Sequence, residues 1–87
     1  MRVLKFEADW CHICKAFDAI IKDSKYNHLV ERIDIEKDPR GDEYISKYNI
    51  KNLPTVLILD DDGNVLDRFS STTLEKFEMY VNNFINE

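Results

Sequence analysis

One stretch of the sequence decides the fold, Val3-Leu4-Lys5-Phe6-Glu7-Ala8-Asp9-Trp10-Cys11-His12-Ile13-Cys14-Lys15, in which an apolar, strand-like run leads into a Cys-x-x-Cys motif that opens a predicted helix. Cys11 and Cys14 are the only cysteines of the chain. A sulfur at a helix N-terminus lies beside unpaired backbone N–H groups and the positive end of the helix dipole, which stabilise a thiolate. Cys14, one helical turn later, can close a disulfide onto Cys11. The stretch therefore predicts a reversible dithiol–disulfide switch in which Cys11 is the nucleophile.

Length and composition indicate one small globular domain over residues 1–87. Hydrophobic residues make up 44% of the chain and charged residues 33%, which is typical of a folded soluble protein. The net charge of -5 argues against nucleic acid as a partner. The sequence shows neither an apolar run of membrane-spanning length nor a leader-like start, so we expect a cytoplasmic monomer with no membrane partner. In a reducing compartment, a Cys-x-x-Cys pair is expected to do redox work and not to act as a structural disulfide.

Hydrophobic periodicity predicts the element order β-α-β-α-β-β-α. The predicted strands are 1–6, 29–35, 53–59 and 65–69, and the predicted helices are 11–25, 42–48 and a closing helix from 74. The first helix should bury the apolar stripe Ile13, Ala16, Phe17, Ala19, Ile20 and Ile21, and the last should bury Leu74, Phe77, Val81, Phe84 and Ile85. Thr72 and Glu75 have the spacing of a capping box for the closing helix. Strands joined through helices are expected to be parallel and the hairpin antiparallel, which gives an α/β fold with a four-stranded mixed sheet and helices on both faces.

The motifs together resemble the thioredoxin family. The resemblance rests on Trp10-Cys11-His12-Ile13-Cys14-Lys15 after a strand, on Ile50-Lys51-Asn52-Leu53-Pro54-Thr55 further along, and on Gly63 in the following hairpin. It covers nearly the whole chain and implies a thioredoxin-like fold without the extra N-terminal strand and helix of full-length thioredoxins.

The resemblance also implies roles for particular residues. Pro54 would follow a cis peptide bond and lie against the disulfide, although a strand-start proline can equally be trans. Trp10 would shield one side of the site, the alternative being a buried core aromatic. The predicted site consists of the catalytic pair with supporting and substrate-binding residues, namely Cys11, Cys14, Trp10, His12, Ile13, Lys15, Lys5, Leu53, Pro54 and Ser70.

The activity implied by the resemblance is reduction of protein disulfides. Cys11 would attack the substrate disulfide, and Cys14 would then attack Cys11 and release the reduced substrate. No bound cofactor is expected beyond the Cys11–Cys14 disulfide itself. A thioredoxin-reductase-like or glutathione-linked electron donor would recharge the dithiol, and the other partners would be proteins that contain disulfides.

Three positions depart from the family pattern. His12-Ile13 stand where thioredoxins usually have Gly-Pro, and a protonated His12 would stabilise the Cys11 thiolate, whereas a neutral one would be only a tolerated surface residue. Lys5 stands where the family has a buried carboxylate; it could act on Cys14 as a neutral base or as a positive charge, or simply reach solvent or pair with Glu7. Ser70-Ser71 replace a glycine that lets the substrate backbone approach.

Other functions remain as alternatives. A zinc site needs four ligands, but His12 is wedged between Cys11 and Cys14, and His28 lies beyond the far end of the first helix. Only a dimer that shares two Cys-x-x-Cys units would complete a zinc or iron–sulfur site, and we expect no metal. A glutaredoxin-like or net-oxidising exchange protein is closer, although the turn 60–64 lacks the glutathione-clamping residues of glutaredoxins. A non-redox binding subunit with this fold is the alternative of a different class.

Overall fold

The computed structural model describes residues 1–85. Its elements are β1 (Arg2–Glu7), α1 (His12–Lys22), a short 3-10 turn (Asn27–Leu29), β2 (Val30–Asp34), α2 (Gly41–Tyr48), β3 (Thr55–Leu59), β4 (Val65–Phe69) and α3 (Leu74–Asn82). The predicted order β-α-β-α-β-β-α is confirmed, and the bounds of β4 agree with the sequence prediction.

The four strands form one mixed sheet in the order β2-β1-β3-β4. β1 runs parallel to β2, with Val3 opposite Val30, whereas β3 runs antiparallel to β1 and to β4. The sequence predicted that strands joined by a helix run parallel. This prediction is confirmed for β1 and β2 but is wrong for β2 and β3, which run in opposite directions. β3 lies on the far side of β1 and runs in the opposite direction, with Phe6 opposite Thr55. As a result, the end of β1 and the start of β3 meet at one edge of the sheet.

Helices cover both faces of the sheet, as predicted. α1 and α3 pack on one face, where the buried cluster is Val3, Phe17, Ile21, Val56, Ile58, Phe77 and Val81. α2 packs on the other, where the buried cluster is Leu4, Phe6, Ile33, Tyr48, Leu57 and Leu59. Alternate residues of β1 point to opposite faces. Lys5 therefore shares the α1 face with Val3.

The ends of α1 and β3 differ from the sequence prediction. α1 ends at Lys22, three residues early, where the N–H of Asp23 donates to the carbonyl oxygen of Ile20 and the N–H of Ser24 to that of Ile21. Its buried stripe is narrower than expected: Phe17 and Ile21 are buried together with Cys14, whereas Ile13, Ala16 and Ala19 are exposed. β3 begins at Thr55, so Pro54 precedes the strand.

The start of α3 also differs from the prediction. Thr73, not Thr72, is its N-cap and accepts a hydrogen bond from the N–H of Lys76. The predicted capping box of Thr72 and Glu75 is wrong, because a cap at Thr73 places Lys76 at the position where the box needs a carboxylate or amide side chain. Phe77 and Val81 are buried as predicted, and Phe84 and Ile85 pack partly buried against the same cluster.

All three helices are short, with 11, 8 and 9 residues in α1, α2 and α3. α2 starts at Gly41, where a Cβ atom would lie 2.3 Å from the carbonyl oxygen of Ile35, so only glycine fits this close approach. Within residues 1–85, no helix has the length and apolar character needed to span a bilayer.

Candidate active site

Cys11 and Cys14 are joined by a disulfide at the start of α1, with their Cα atoms 5.2 Å apart. Cys11 is the N-cap residue, and its sulfur accepts a hydrogen bond from the backbone N–H of Cys14 at 3.1 Å. The first turn of α1 contains no acidic residue that would oppose a negative charge. Negative charge at a helix N-terminus is favourable. The reduced pair would therefore be expected to hold its thiolate on Cys11.

Burial distinguishes the two sulfurs from their neighbours. Cys11 is 8% exposed and Cys14 only 2%, whereas Trp10 and Ile13 are each about 60% exposed. Trp10 is therefore not a core aromatic, so that alternative is wrong, and Ile13 does not belong to the buried stripe of α1. Exposed apolar side chains next to a nearly buried disulfide are typical of a contact surface for another protein.

Pro54 lies at the same edge of the sheet as the disulfide. The Leu53–Pro54 peptide bond is cis, which confirms the implication of the family resemblance and excludes the trans alternative. Pro54 is buried and Leu53 is half-buried. Because β3 is antiparallel to β1, the loop that precedes Thr55 lies beside the end of β1 from which the chain enters the Cys-x-x-Cys motif.

Two hydroxyl groups hold the Pro54 loop. The Ser70 hydroxyl donates a hydrogen bond to the carbonyl oxygen of Pro54 at 2.7 Å, and the Thr55 hydroxyl donates one to the carbonyl oxygen of Asn52 at 2.5 Å. Ser70 thus lies beside the loop, as the sequence predicts, but its side chain is used to bind the loop. Thr55 was not predicted as a site residue, although its place directly after Pro54 was a usable signal.

An apolar groove of about 340 Å³ begins at Trp10 and Leu53. Sequence reasoning named those two residues for substrate binding and missed the rest of the groove, which is lined by Ile35, Ile45, Ile50, Lys51 and Asn52. These residues come from three separate segments of the chain. The apolar character of Ile35, Ile45 and Ile50 was visible in the sequence, but their position beside Trp10 was not.

Lys5 is fully buried beneath α1, with no exposed surface. Its Nζ donates hydrogen bonds to Glu7 Oε1 at 2.6 Å and to the carbonyl oxygen of Cys14 at 3.0 Å, and it lies 3.6 Å from Asp18 Oδ1. The predicted pairing with Glu7 is confirmed, and the alternative in which Lys5 reaches solvent is wrong. All three partners are acceptors, which matches the three donors of an ammonium group that has no lone pair to offer. The contacts therefore fit the version in which Lys5 acts through its positive charge.

Asp18 joins Lys5 to a wider ion-pair network. Its carboxylate also pairs with Arg32 from β2 and with Lys22 one turn along α1. Burial would raise the pKa of Asp18, but the hydrogen bond from Arg32 and the charge of Lys5 outweigh it and hold that pKa below its usual value. The sequence predicted Glu7 only as a partner of Lys5 and did not predict Asp18 or Arg32. The three residues lie on β1, α1 and β2, so no single segment of the sequence contains them.

The remaining predicted residues, His12 and Lys15, are exposed on the first turn of α1. His28, considered only as a metal ligand, is exposed in the 3-10 turn beyond the opposite end of α1. Within residues 1–85, the structure brings together no group of three or more His, Cys, Asp or Glu side chains suited to a metal ion. A structural zinc site takes four ligands.

Comparison with known proteins places this geometry in a family. The family model described as Thioredoxin matches residues 1–83. The chain belongs to the thioredoxin family. The disulfide at a helix start, in a thioredoxin fold, indicates a thiol–disulfide oxidoreductase.

Solved thioredoxins share its architecture. The thioredoxin of Schistosoma mansoni is 28% identical, with a TM-score of 0.77, over 95% of this chain and 75% of that one. Deadhead, a germline-specific thioredoxin of Drosophila melanogaster, is 25% identical, with a TM-score of 0.76, over 95% of this chain and 79% of that one.

A curated relative is much longer than this chain. The thiol:disulfide interchange protein DsbD of Actinobacillus pleuropneumoniae is 26% identical over an alignment of 87 positions that covers 92% of this chain. The match spans 15% of the length of that relative. The similarity of this thioredoxin-family chain to DsbD is therefore confined to one segment of that protein.

Proposed function

We propose that this thioredoxin-family protein reduces disulfide bonds in other proteins. The observation that carries the proposal is the disulfide between the N-cap residue Cys11 and Cys14, at the sheet edge where the cis Pro54 loop also lies. This arrangement combines a stabilised nucleophile, an internal resolving thiol and a backbone loop that a substrate chain can approach.

The reaction proceeds in two exchange steps. The Cys11 thiolate attacks one sulfur of the substrate disulfide, forming a Cys11–substrate disulfide and releasing the other substrate sulfur as a thiolate. The Cys14 thiol loses its proton and attacks the Cys11 sulfur. The Cys11–Cys14 bond forms, the bond to the substrate breaks, and the second substrate thiolate leaves. The substrate gains two electrons, and the Cys11–Cys14 pair loses them.

Substrate binding is assigned to the residues around the disulfide. Trp10 and Ile13 provide exposed apolar contacts, and the backbone of Leu53, held by the cis Pro54 loop, offers hydrogen bonds to an extended substrate segment. Ser70, whose hydroxyl binds the carbonyl oxygen of Pro54, borders the same loop. The low exposure of Cys11 favours substrates whose disulfide can be presented on an extended segment.

Electrons would come from an external donor. A thioredoxin-reductase-like or glutathione-linked enzyme would reduce the Cys11–Cys14 disulfide after each cycle, and no bound cofactor takes part. We place the protein in the cytoplasm as a monomer, without nucleic-acid or membrane partners, and the net charge of -5 supports the first of these two exclusions.

Insulin reduction driven by dithiothreitol tests the proposal. The wild-type protein should accelerate precipitation of the insulin B chain, and the double variant Cys11→Ser, Cys14→Ser should fall to the rate of dithiothreitol alone. Ala16→Ser, an exposed change in the same helix, is the matched control and should keep the wild-type rate. A wild-type protein that fails to accelerate insulin reduction would reject the proposed function.

Net oxidation is the competing direction for the same pair. The name of the curated relative, thiol:disulfide interchange protein, is compatible with exchange in either direction. Reactivation of reduced, unfolded ribonuclease by the oxidised protein, measured beside insulin reduction, compares the two. Faster catalysis of the oxidation would reassign the direction. Full biological activity of the double cysteine variant would instead favour the binding subunit.

A further inference from the structure

A polar pocket of about 530 Å³ lies between the loop that follows α2 and the end of β4. Its lining residues are Asn49, Lys51, Asn52, Thr55, Arg68, Phe69 and Ser70. They include two cations and two carboxamides, and none of these described lining residues carries a carboxylate. In a chain of net charge -5, the pocket is a local concentration of positive charge and hydrogen-bond donors that suits a negative group.

The guanidinium of Arg68 is held in place at the end of α2. It donates hydrogen bonds to the carbonyl oxygens of Tyr48 and Asn49, where the helix ends. A cation is favourable at this point because the last carbonyl groups of a helix carry partial negative charge. Within residues 1–85, these bonds use two of the five N–H groups of the guanidinium, so three remain for another acceptor.

Within residues 1–85, neither cation of the pocket pairs with a carboxylate, since the ion pairs of the structure involve other cations. Lys51 is exposed on the loop before Pro54, where it also borders the apolar groove beside Trp10. A fixed guanidinium and an exposed ammonium thus line one pocket. This combination matches a carboxylate, because a guanidinium can bind both of its oxygens and an ammonium adds a second charge.

The pocket lies at the same edge of the sheet as the disulfide. β1, β3 and β4 are neighbours that alternate in direction, so the end of β1, the start of β3 and the end of β4 share this edge. Cys11 follows the first of these strands, Pro54 precedes the second, and Ser70 follows the third. Two strand spacings amount to about 10 Å, a distance that about three residues of an extended chain can span.

We propose that this pocket binds an Asp or Glu side chain of the substrate protein, located about three residues from the cysteine that Cys11 attacks. The inference rests on the proposed function and names the substrate class, a disulfide on an extended acidic segment. Lys51 and Arg68 are the specificity-determining residues. The bound carboxylate takes no part in the exchange itself, in which Cys11 bonds to the substrate sulfur and the other substrate sulfur leaves as a thiolate.

Peptides with a single cysteine test the preference for acidic substrates. Each peptide has blocked ends and carries its cysteine as a mixed disulfide with thionitrobenzoate. Thionitrobenzoate is the better leaving group, so Cys11 attacks the peptide sulfur, and the absorbance of the released thionitrobenzoate gives the rate of this step. The peptides differ only in the residues three positions before and after the cysteine, which are both Glu, both Gln or both Lys.

The reduced protein should react about three- to tenfold faster with the Glu peptide than with the Gln peptide, and more slowly still with the Lys peptide. One exposed ion pair alone changes a rate by about 1.4- to 5-fold, and the pocket supplies two cations. Added salt should reduce the preference, because exposed charges are screened.

Lys51→Gln should reduce the ratio of the Glu to the Gln rate by at least about twofold, within the effect of one exposed ion pair, and leave the Gln rate unchanged. Lys47→Gln, the same change at an exposed position of α2 outside the pocket, is the matched control and should keep the wild-type ratio. Arg68→Gln should also lower the ratio. If loss of its bonds to the end of α2 prevents folding, Lys51→Gln decides the test.

Equal wild-type rates with the Glu and Gln peptides would overturn the inference, and so would a Lys51→Gln variant that keeps the wild-type ratio. A failure of the proposed function looks different. In that case, the wild-type protein would release thionitrobenzoate from every peptide no faster than glutathione does at the same concentration.

Discussion

The hydroxyl of Ser70 donates a hydrogen bond to the carbonyl oxygen of Pro54 at 2.7 Å. The bond links the end of β4 to the cis-proline loop, so Ser70 stiffens the loop that would present Leu53 to a substrate. The serine that replaces the usual glycine of the family therefore adds a hydrogen bond to the loop as well as a larger side chain.

Ser70→Ala removes this bond without adding bulk. We expect a loss of about 1 kcal/mol of unfolding free energy, typical of one hydrogen bond, and a raised KM for insulin with little change in kcat. Urea unfolding and insulin kinetics measure the two effects. Ser71→Ala is the neighbouring control and should leave the KM unchanged; an equal rise in its KM would remove the specific role of Ser70.

Lys5→Met tests the buried ammonium. We expect a more reducing Cys11–Cys14 couple, because loss of a positive charge near Cys14 disfavours thiolate in the reduced form. A drop of about 30 mV would correspond to roughly 1.4 kcal/mol. The free energy of unfolding should fall by about 1–3 kcal/mol, the range for acceptors that lose a buried partner. We expect a value near the lower end of that range, because the Glu7 and Asp18 carboxylates that pair with Lys5 are partly exposed.

Lys22→Met is the matched control for Lys5→Met. Lys22 pairs with the same Asp18, but its side chain is 67% exposed, so its removal should change stability by less than about 0.5 kcal/mol and leave the potential unchanged. Glutathione equilibration gives both potentials. A potential for Lys5→Met equal to that of the wild type would contradict a charge role for Lys5.

The potential of the wild-type couple should exceed that of thioredoxin. His12-Ile13 replace Gly-Pro, and Lys5 adds a positive charge beneath Cys14; positive charge that stabilises thiolate favours the reduced form. We expect a value above about -270 mV, the thioredoxin reference, by tens of millivolts. A glutathione titration that gives a value at or below this reference would count against the argument.

Asp18 should make stability depend on pH on the acid side. The pKa of Asp18 is lower in the folded protein than in the unfolded chain. Its contribution to the free energy of unfolding is therefore fully present above the ordinary Asp pKa of about 3.9, and it is lost as the pH falls through the lower pKa of the folded state. Asp18→Asn should therefore be less stable than wild type at neutral pH, and the difference should shrink in acid. Urea unfolding at several pH values measures it, with the exposed change Asp23→Asn as control. A difference that grows in acid would have the wrong sign.

The sequence predicted the elements well where one segment decides them. The strand before Cys11 and the disulfide follow from local patterns, the cis bond before Pro54 follows from the family resemblance, and the structure contains all three. The direction of β3 was not predictable by the same means, because it depends on which side of β1 the strand joins. The buried face of α1 was overestimated because its apolar residues continue onto an exposed face at Ala16 and Ala19.

The surroundings of Lys5 show why the rest of the site required the structure. A lysine on a short strand is usually expected to reach water, and only the packing of α1 over β1 closes that route. The partners Glu7, Asp18 and Arg32 lie on β1, α1 and β2. No single window of sequence contains them, so the network appears only when the elements are assembled.

Trapping of the mixed disulfide tests the central claim most directly. Reduced Cys14→Ser, mixed with insulin, should accumulate a covalent adduct that mass spectrometry assigns to Cys11, because the nucleophile can attack but no resolving thiol is present. Cys11→Ser should form little adduct under the same conditions. An adduct that forms mainly through Cys14, or no adduct with Cys14→Ser, would contradict the proposed mechanism.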